Sequence, residues 1–232
     1  MSVYYQDDYV TLYHGDCLEI IADLPTADAI ITDPPYSAAT HTNAKSNKGK
    51  GHGTSQIDFD ALEDPATLFE TFADKTKGWI IANVDYKHAF ILDNAPPPSL
   101  RCLRVGVWVK TNPMPQISAD RPGTGWEAIV YMHRADVKPA WNGGGKSGNY
   151  VLPIAQGEGH PTSKPIQMVA DWVQKFTNPG DLVLDPFAGS GTTLRAAKDL
   201  GRRAIGVELE EKYCEIAARR LSQDILDLGG VA

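Results

Sequence analysis

The sequence predicts an α/β fold: a doubly wound, mainly parallel sheet of about seven strands with one antiparallel hairpin. Three observations carry this. Short apolar runs of strand length recur along the chain. Helix-like patterns separate most of them, which is the signature of strand–helix–strand units and a parallel sheet. One pair of runs, 102–110 and 127–134, has no helix between its members and so predicts a hairpin.

The elements follow in order. "YVTLYHGD" (9–16) is the first strand, and "CLEIIADL" (17–24) the first helix, with Asp16 placed as its N-cap. "DAIITD" (28–33) is a short buried strand. "DPATLFETFADKTK" (64–77) and "DYKHAFILDNA" (85–95) are helices on either side of the strand "GWIIAN" (78–83). "CLRVGVWVK" and "EAIVYMHR" form the hairpin. "SKPIQMVADWVQKFT" (163–177) is a helix, "DLVLD" (181–185) a strand, "TTLRAAKDLG" (192–201) a helix that Gly201 is placed to end, "RAIGVE" (203–208) a strand, and "EEKYCEIAARRLSQDILDL" (210–228) the last helix. Three stretches, 37–56, 111–126 and 135–163, read as long loops of the kind that carry function. Neither a repeat nor a linker interrupts the chain, so residues 1–232 are expected to form a single domain.

Composition narrows the function. With 42% hydrophobic and 22% charged residues the chain suits an ordinary soluble globule. No apolar run approaches a membrane span, and the polar, acidic start "MSVYYQDDYV" is not a secretory signal. Cys17, Cys102 and Cys214 are scattered, odd in number and without metal-ligand spacing, which argues for reduced cytosolic thiols and against a zinc site. The net charge of −7 counts against nucleic-acid binding unless a basic surface is local. Residues 37–56 supply one candidate, with Lys45, Lys48 and Lys50 and no acid. A solvated loop is the other reading of that segment.

Two stretches carry chemistry. In "DLVLDPFAGSGTT" a buried strand turns through Gly189 and Gly191 into a helix at about Thr192. Those glycines permit a tight turn and close approach of a ligand to backbone. Glu208 closes the next strand about 20 residues on, where an acid accepts hydrogen bonds from ribose hydroxyls. The dinucleotide fingerprint fails because Thr193 and Leu194 follow Gly191, and no lysine completes a phosphate loop. The other stretch is "TDPPYS". Pro34 and Pro35 lack N–H groups and have φ fixed near −65°, and each restrains its predecessor. They hold Asp33 and Tyr36 in a stiff turn with bare carbonyls.

"DPFAGSGTT" resembles the S-adenosylmethionine motif of the amino-group DNA methyltransferases, and "DPPY" resembles their [DNS]-P-P-[YFW] motif. The resemblance implies a Rossmann-like methyltransferase sheet in circularly permuted order, catalytic motif first and cofactor motif last, as in the β class. It implies that Asp185, with Pro186, Phe187, Gly189, Ser190, Gly191 and Thr192, holds the methionine part, and that Glu208 binds the ribose. "HPTSKP" resembles the family's H-P-T-x-K-P motif, giving His160, Thr162, Ser163 and Lys164 a place at the methionine end; a helix cap at Thr162 or Ser163 is the other reading. "HGDC" resembles the segment whose acid meets the cofactor's adenine, so Asp16 is a candidate beside its capping role. Lys110 and Asn112 are expected to border the base pocket.

The residue types suit the chemistry. An exocyclic amino group is a poor nucleophile because its lone pair is delocalised into the ring. Asp33 can accept one N–H, the Pro34 carbonyl can accept the other, and Tyr36 can stack on the base. Alignment supplies much of the acceleration, and acceptors aimed at developing positive charge supply more. The base must be flipped out to be reached. By resemblance the expected activity is site-specific transfer to adenine N6 in DNA. Cytosine N4 is the alternative, along with RNA or protein-amide methylation and an inactive DNA-binding relic. Residues 135–158 fall where such enzymes carry a target-recognition segment. DNA is the expected partner, a homodimer and a cognate restriction nuclease are left open, and the resemblance implies a bacterial or bacteriophage protein of the cytoplasm.

Overall fold

The computed structural model describes residues 2–37, 64–116, 120–155 and 164–223. Lys45, Lys48, Lys50, His160, Thr162 and Ser163 lie outside the described residues. Among the described residues nine strands form one sheet: β1 (Ser2–Gln6), β2 (Val10–His14), β3 (Ala27–Thr32), β4 (Thr76–Val84), β5 (Leu100–Lys110), β6 (Trp126–Arg134), β7 (Tyr150–Leu152), β8 (Leu182–Asp185) and β9 (Arg203–Glu208), in the order β1-β2-β9-β8-β3-β4-β6-β5-β7. The helices are α1 (Cys17–Ile20), α2 (Pro65–Ala73), α3 (Tyr86–Asn94), α4 (Ile166–Phe176), α5 (Thr192–Asp199) and α6 (Glu211–Leu221).

All seven expected strands are present, and the β5–β6 hairpin is antiparallel as expected. Two edge strands are added. β1 pairs antiparallel with β2, and β7 pairs parallel with three residues of β5. Helix α2 stops at Ala73 rather than running to Lys77, because Thr76 already pairs with Ala27 in β3.

Both faces of the sheet are covered, as double winding requires. Alternate residues of the central strands serve opposite cores. Ile30, Ile80 and Val130 pack with Phe69 and Phe72 of α2 and Leu92 of α3. Ile31, Ile81 and Ile129 pack with Trp172 and Val173 of α4, Leu194 of α5 and Ala217 of α6. Asp16, Asp64 and Asp85 cap the N-termini of α1, α2 and α3 by accepting backbone N–H bonds.

The chain winds outward in opposite directions from the β3/β8 pair: β3 leads through α2 to β4 on one side, and β8 leads through α5 to β9 on the other. In an open α/β sheet, ligands bind in the crevice outside the carboxyl ends of the strands at such a reversal.

Phe72 is fully buried between α2 and the sheet. Phe72→Ala is expected to lower stability by about 3–5 kcal/mol, read as a lower midpoint in denaturant unfolding.

Candidate active site

Parallel pairing of Ala29 with Val183 and Ile30 with Leu184 sets Asp33 and Asp185 at neighbouring strand ends. The Thr32 hydroxyl donates to Asp185 Oδ1 at 2.8 Å, locking the two motifs together across 153 positions of sequence. A cleft between them is lined by Asp33, Asn83, Lys164, Asp185, Gly189 and Thr192, among others.

On the β8 side, Gly189 and Gly191 have φ of 50° and 77°, conformations that a side chain disfavours. Gly191 N donates to Ala188 O at 2.8 Å and caps the entry to α5. Glu208 is buried, and its carboxylate accepts from Gly189 N at 2.7 Å and Glu210 N at 2.8 Å. It thus clamps the glycine turn to the end of β9, and each oxygen keeps a second lone pair. Asp185 also accepts from Phe187 N at 3.1 Å. Burial pushes its carboxyl up to about 7, and among the described residues no cation lies within ion-pair distance. Asp16 is at the end of β2, next to Gly15, whose N–H donates to Glu208 O at 2.9 Å; its own side chain accepts from Leu18 N at 2.8 Å as the α1 cap.

On the β3 side the DPPY turn meets a cluster of charges. Lys164 Nζ donates to Asp33 Oδ2 at 2.6 Å and lies 3.5 Å from Glu127 Oε2. The Tyr36 hydroxyl contacts Glu127 Oε2 at 2.8 Å and Asp33 Oδ1 at 3.1 Å. Lys110 Nζ donates to Glu127 Oε1 at 2.7 Å. Burial alone would raise the Glu127 carboxyl, but the Lys164 and Lys110 ammonium groups reverse this and hold it at about 2. Burial likewise opposes the charge on Lys164, and the Asp33 and Glu127 carboxylates outweigh it, so its pKa is raised. Ser37 N donates to Asp85 Oδ2 at 2.9 Å and its hydroxyl contacts the same atom, so the α3 cap also holds the exit of the turn.

Lys110 lies beside the turn, its ammonium bound to the Glu127 carboxylate. Asn112 accepts from Ile154 N at 2.6 Å and ties two loops together. Lys164, expected at the methionine end, has its ammonium on Asp33 of the DPPY turn. Glu127 and Asn83 escaped sequence reasoning. The hairpin register held a signal for Glu127: it pairs with Trp108, two residues from Lys110, so an acid and a lysine meet across two strands. Asn83 follows Ala82, the partner of Thr32, and so lies level with Asp33; its Oδ1 is buried without a hydrogen-bond partner.

The residues fit an S-adenosylmethionine-like group. A buried carboxylate without a cation suits an ammonium, a glycine turn allows close approach, and an orphaned buried acceptor awaits a donor. Gly191 combines a left-handed backbone with close packing, since an added Cβ would lie 3.0 Å from Ala217 Cβ. Gly191→Ala is expected to cost roughly 1–2 kcal/mol from the left-handed backbone alone, measurable as a lower unfolding midpoint.

Comparison with known proteins agrees with this geometry. A DNA methylase family model, of the N6/N4 type, matches residues 136–219. The chain is 27% identical to Type II methyltransferase M.HinfI of Haemophilus influenzae, over 92% of this chain and 68% of that protein. It is also 27% identical to Type II methyltransferase M2.DpnII of Streptococcus pneumoniae, over 95% of this chain and 92% of that protein. The crystal structure of the M1.HpyAVI–SAM complex superposes with a TM-score of 0.73 at 27% identity, covering 92% of this chain and 100% of that one. With both motifs meeting at the β3/β8 crevice in the permuted order, the chain is similar in sequence and fold to amino-DNA methyltransferases.

Proposed function

We propose that the chain is a site-specific DNA methyltransferase that moves a methyl group from S-adenosylmethionine to the N6 amino group of adenine. The observation that carries this is the crevice itself: a stiff turn bearing Asp33 and Tyr36 faces a glycine turn and a buried Asp185 with no cation of its own.

Bound S-adenosylmethionine supplies a methyl group on a sulfonium centre. Asp185 pairs with an ammonium group, the turn through Gly189 and Gly191 accepts the ligand against backbone, and Glu208 offers its remaining lone pairs to ribose hydroxyls. Asp16, at the next strand end, suits an adenine edge. Asp33 and the Pro34 carbonyl accept the N–H groups of the target. They orient its lone pair along the line of attack and stabilise the positive charge that grows on nitrogen. Pro34 and Pro35 keep these acceptors from relaxing away. Tyr36 offers a ring face to the flipped base, worth roughly 1–3 kcal/mol.

Arg134 ends β6 opposite Leu100 and next to the partner of Trp79, at the end of the sheet remote from Asp33. Residues 135–149 start from there. We therefore assign target reading to the later part of 135–158, where β7 brings the chain back beside Lys110. DNA is the partner in this reading, and among the described residues no helix is long and apolar enough to cross a membrane.

The primary test is incubation with DNA and labelled S-adenosylmethionine, followed by mass spectrometry of the digested DNA. N6-methyladenine is expected, and N4-methylcytosine would overturn the base assignment alone. Asp33→Ala should abolish transfer while cofactor affinity stays within a few-fold by calorimetry; an active variant would sink the catalytic role of Asp33.

Cofactor binding should also depend on pH. The Asp185 carboxyl is raised to about 7, so below that value it carries a proton that must leave before it can pair with an ammonium. Affinity should fall about tenfold per pH unit below 7. It should be greatest between about 7 and 8, where an α-amino group is still charged. Asp185→Asn should weaken binding and flatten this slope; an unchanged slope would remove Asp185 from the ammonium site.

A further inference from the structure

Asp33 meets the target amino group with a partner already on each oxygen, one of them a cation. Lys164 holds one of its oxygens at 2.6 Å and the Tyr36 hydroxyl the other at 3.1 Å. Methyl transfer places positive charge on the target nitrogen, and an ammonium on the same carboxylate opposes that charge. Lys164 is only 9% exposed, so it cannot withdraw into water and needs a second counter-charge if it is to leave Asp33.

Glu127 is placed to supply it. Among the described residues it is the one carboxylate besides Asp33 within ion-pair distance of Lys164. Its Oε2 already receives the Tyr36 hydroxyl at 2.8 Å, shorter than the contact of that hydroxyl with Asp33. Its Oε1 is pinned by Lys110 at 2.7 Å, so the carboxylate is anchored at one end and presents the other to Lys164 and Tyr36. Asn83 Nδ2 approaches the same Oε2 at 3.5 Å. The four charges of Asp33, Glu127, Lys110 and Lys164 sum to zero, so a shift of Lys164 from Asp33 to Glu127 keeps the lysine paired and the cluster neutral.

We propose that Glu127 is a positioning residue that takes Lys164 and the Tyr36 hydroxyl away from Asp33 when the target amino group arrives, freeing Asp33 to accept its N–H. This rests on the methyltransferase reading given above. It makes the Lys164–Asp33 pair a resting contact that the flipped base displaces, and it makes Lys110 the anchor of the carboxylate that receives Lys164.

The test compares the wild-type chain with Glu127→Gln, Glu127→Asp and the charge-neutral double variant Glu127→Gln with Lys164→Gln. Glu127→Gln keeps the side-chain shape and an acceptor for Tyr36 but loses the counter-charge. Its single-turnover rate of methyl transfer to DNA should fall by about 100-fold or more, the size of effect that a displaced preorganised group produces. Its affinities for S-adenosylmethionine by calorimetry and for DNA by anisotropy should stay within about threefold of wild type. Glu127→Asp should recover part of the rate. The double variant should be at least as active as Glu127→Gln, because no cation is left to occupy Asp33. It also keeps the idea testable if the single variant fails to fold. A Glu127→Gln rate equal to wild type, or a double variant whose losses multiply, would overturn the exchange. Inactivity of the wild-type chain on DNA would overturn the methyltransferase reading together with this inference, and that outcome is visible before any variant is compared.

Discussion

The parallel pairing of β3 with β8 is the constraint on which the site depends. Only two residue pairs define its register, Ala29 with Val183 and Ile30 with Leu184. Those pairs are fully or almost fully buried, and a slip of one residue would turn every side chain of the strand to the opposite face. With the register fixed, Asp33 and Asp185 emerge at the same edge, and the bond from Thr32 to Asp185 closes the junction. The chain winds away from this seam in both directions, and the crevice opens at the reversal.

Much of this was legible in the sequence because it depends on local physics. Buried parallel strands read as short apolar runs, as in "DAIITD" and "DLVLD". The proline pair and the glycine turn announce backbone that a regular element cannot use. The two edge strands were not legible. β1 is polar and largely exposed, with Val3 at 52% exposure, so no core face marks it; it is a strand because β2 is there to pair with it. β7 is three residues long and lies in a Gly-rich stretch, and its pairing with β5 is a tertiary event. The end of α2 was misjudged for the same reason. "KTK" continues a helical pattern, yet Thr76 is fully buried in the sheet, where it bonds Trp79 O.

The site divides along the same line. Residues that sit in a motif could be singled out in the sequence, Gly189, Gly191 and Glu208 by their spacing and Asp33 and Tyr36 by resemblance to a family motif. Glu127 and Asn83 belong to no motif. Each is a single polar residue at the crevice end of an apolar strand, and its meaning comes from which strand lies alongside. Lys164 shows the converse: the motif resemblance assigned it to the methionine end, whereas its ammonium lies on Asp33, because a long side chain chooses its counter-charge only once the fold has brought carboxylates within reach. Glu208 combines both roles, since the carboxylate expected to meet a ribose also holds the glycine turn in shape through Gly189 N.

The charge cluster around Tyr36 makes little sense as a stabilising feature. Withdrawing two ammonium groups and two carboxylates even partly from water is expensive, and buried ion pairs rarely outperform well-packed apolar side chains of the same volume. Lys164 and Glu127 are nevertheless held within the protein, their protonation states reinforced by one another. Such an arrangement can move the lysine over a short distance while keeping it paired with a carboxylate. A crevice that must first present a bare carboxylate to an amino group, and then tolerate positive charge on that group, needs this property. An apolar wall could not provide it, and solvent-exposed charges would be screened and too poorly fixed to hold an acceptor in line. The stiff turn formed by Pro34 and Pro35 contributes the complementary half. It prevents Asp33 from following Lys164 as the lysine shifts, so that rearrangement falls on the side chains that can exchange partners and the acceptor stays where the chemistry needs it.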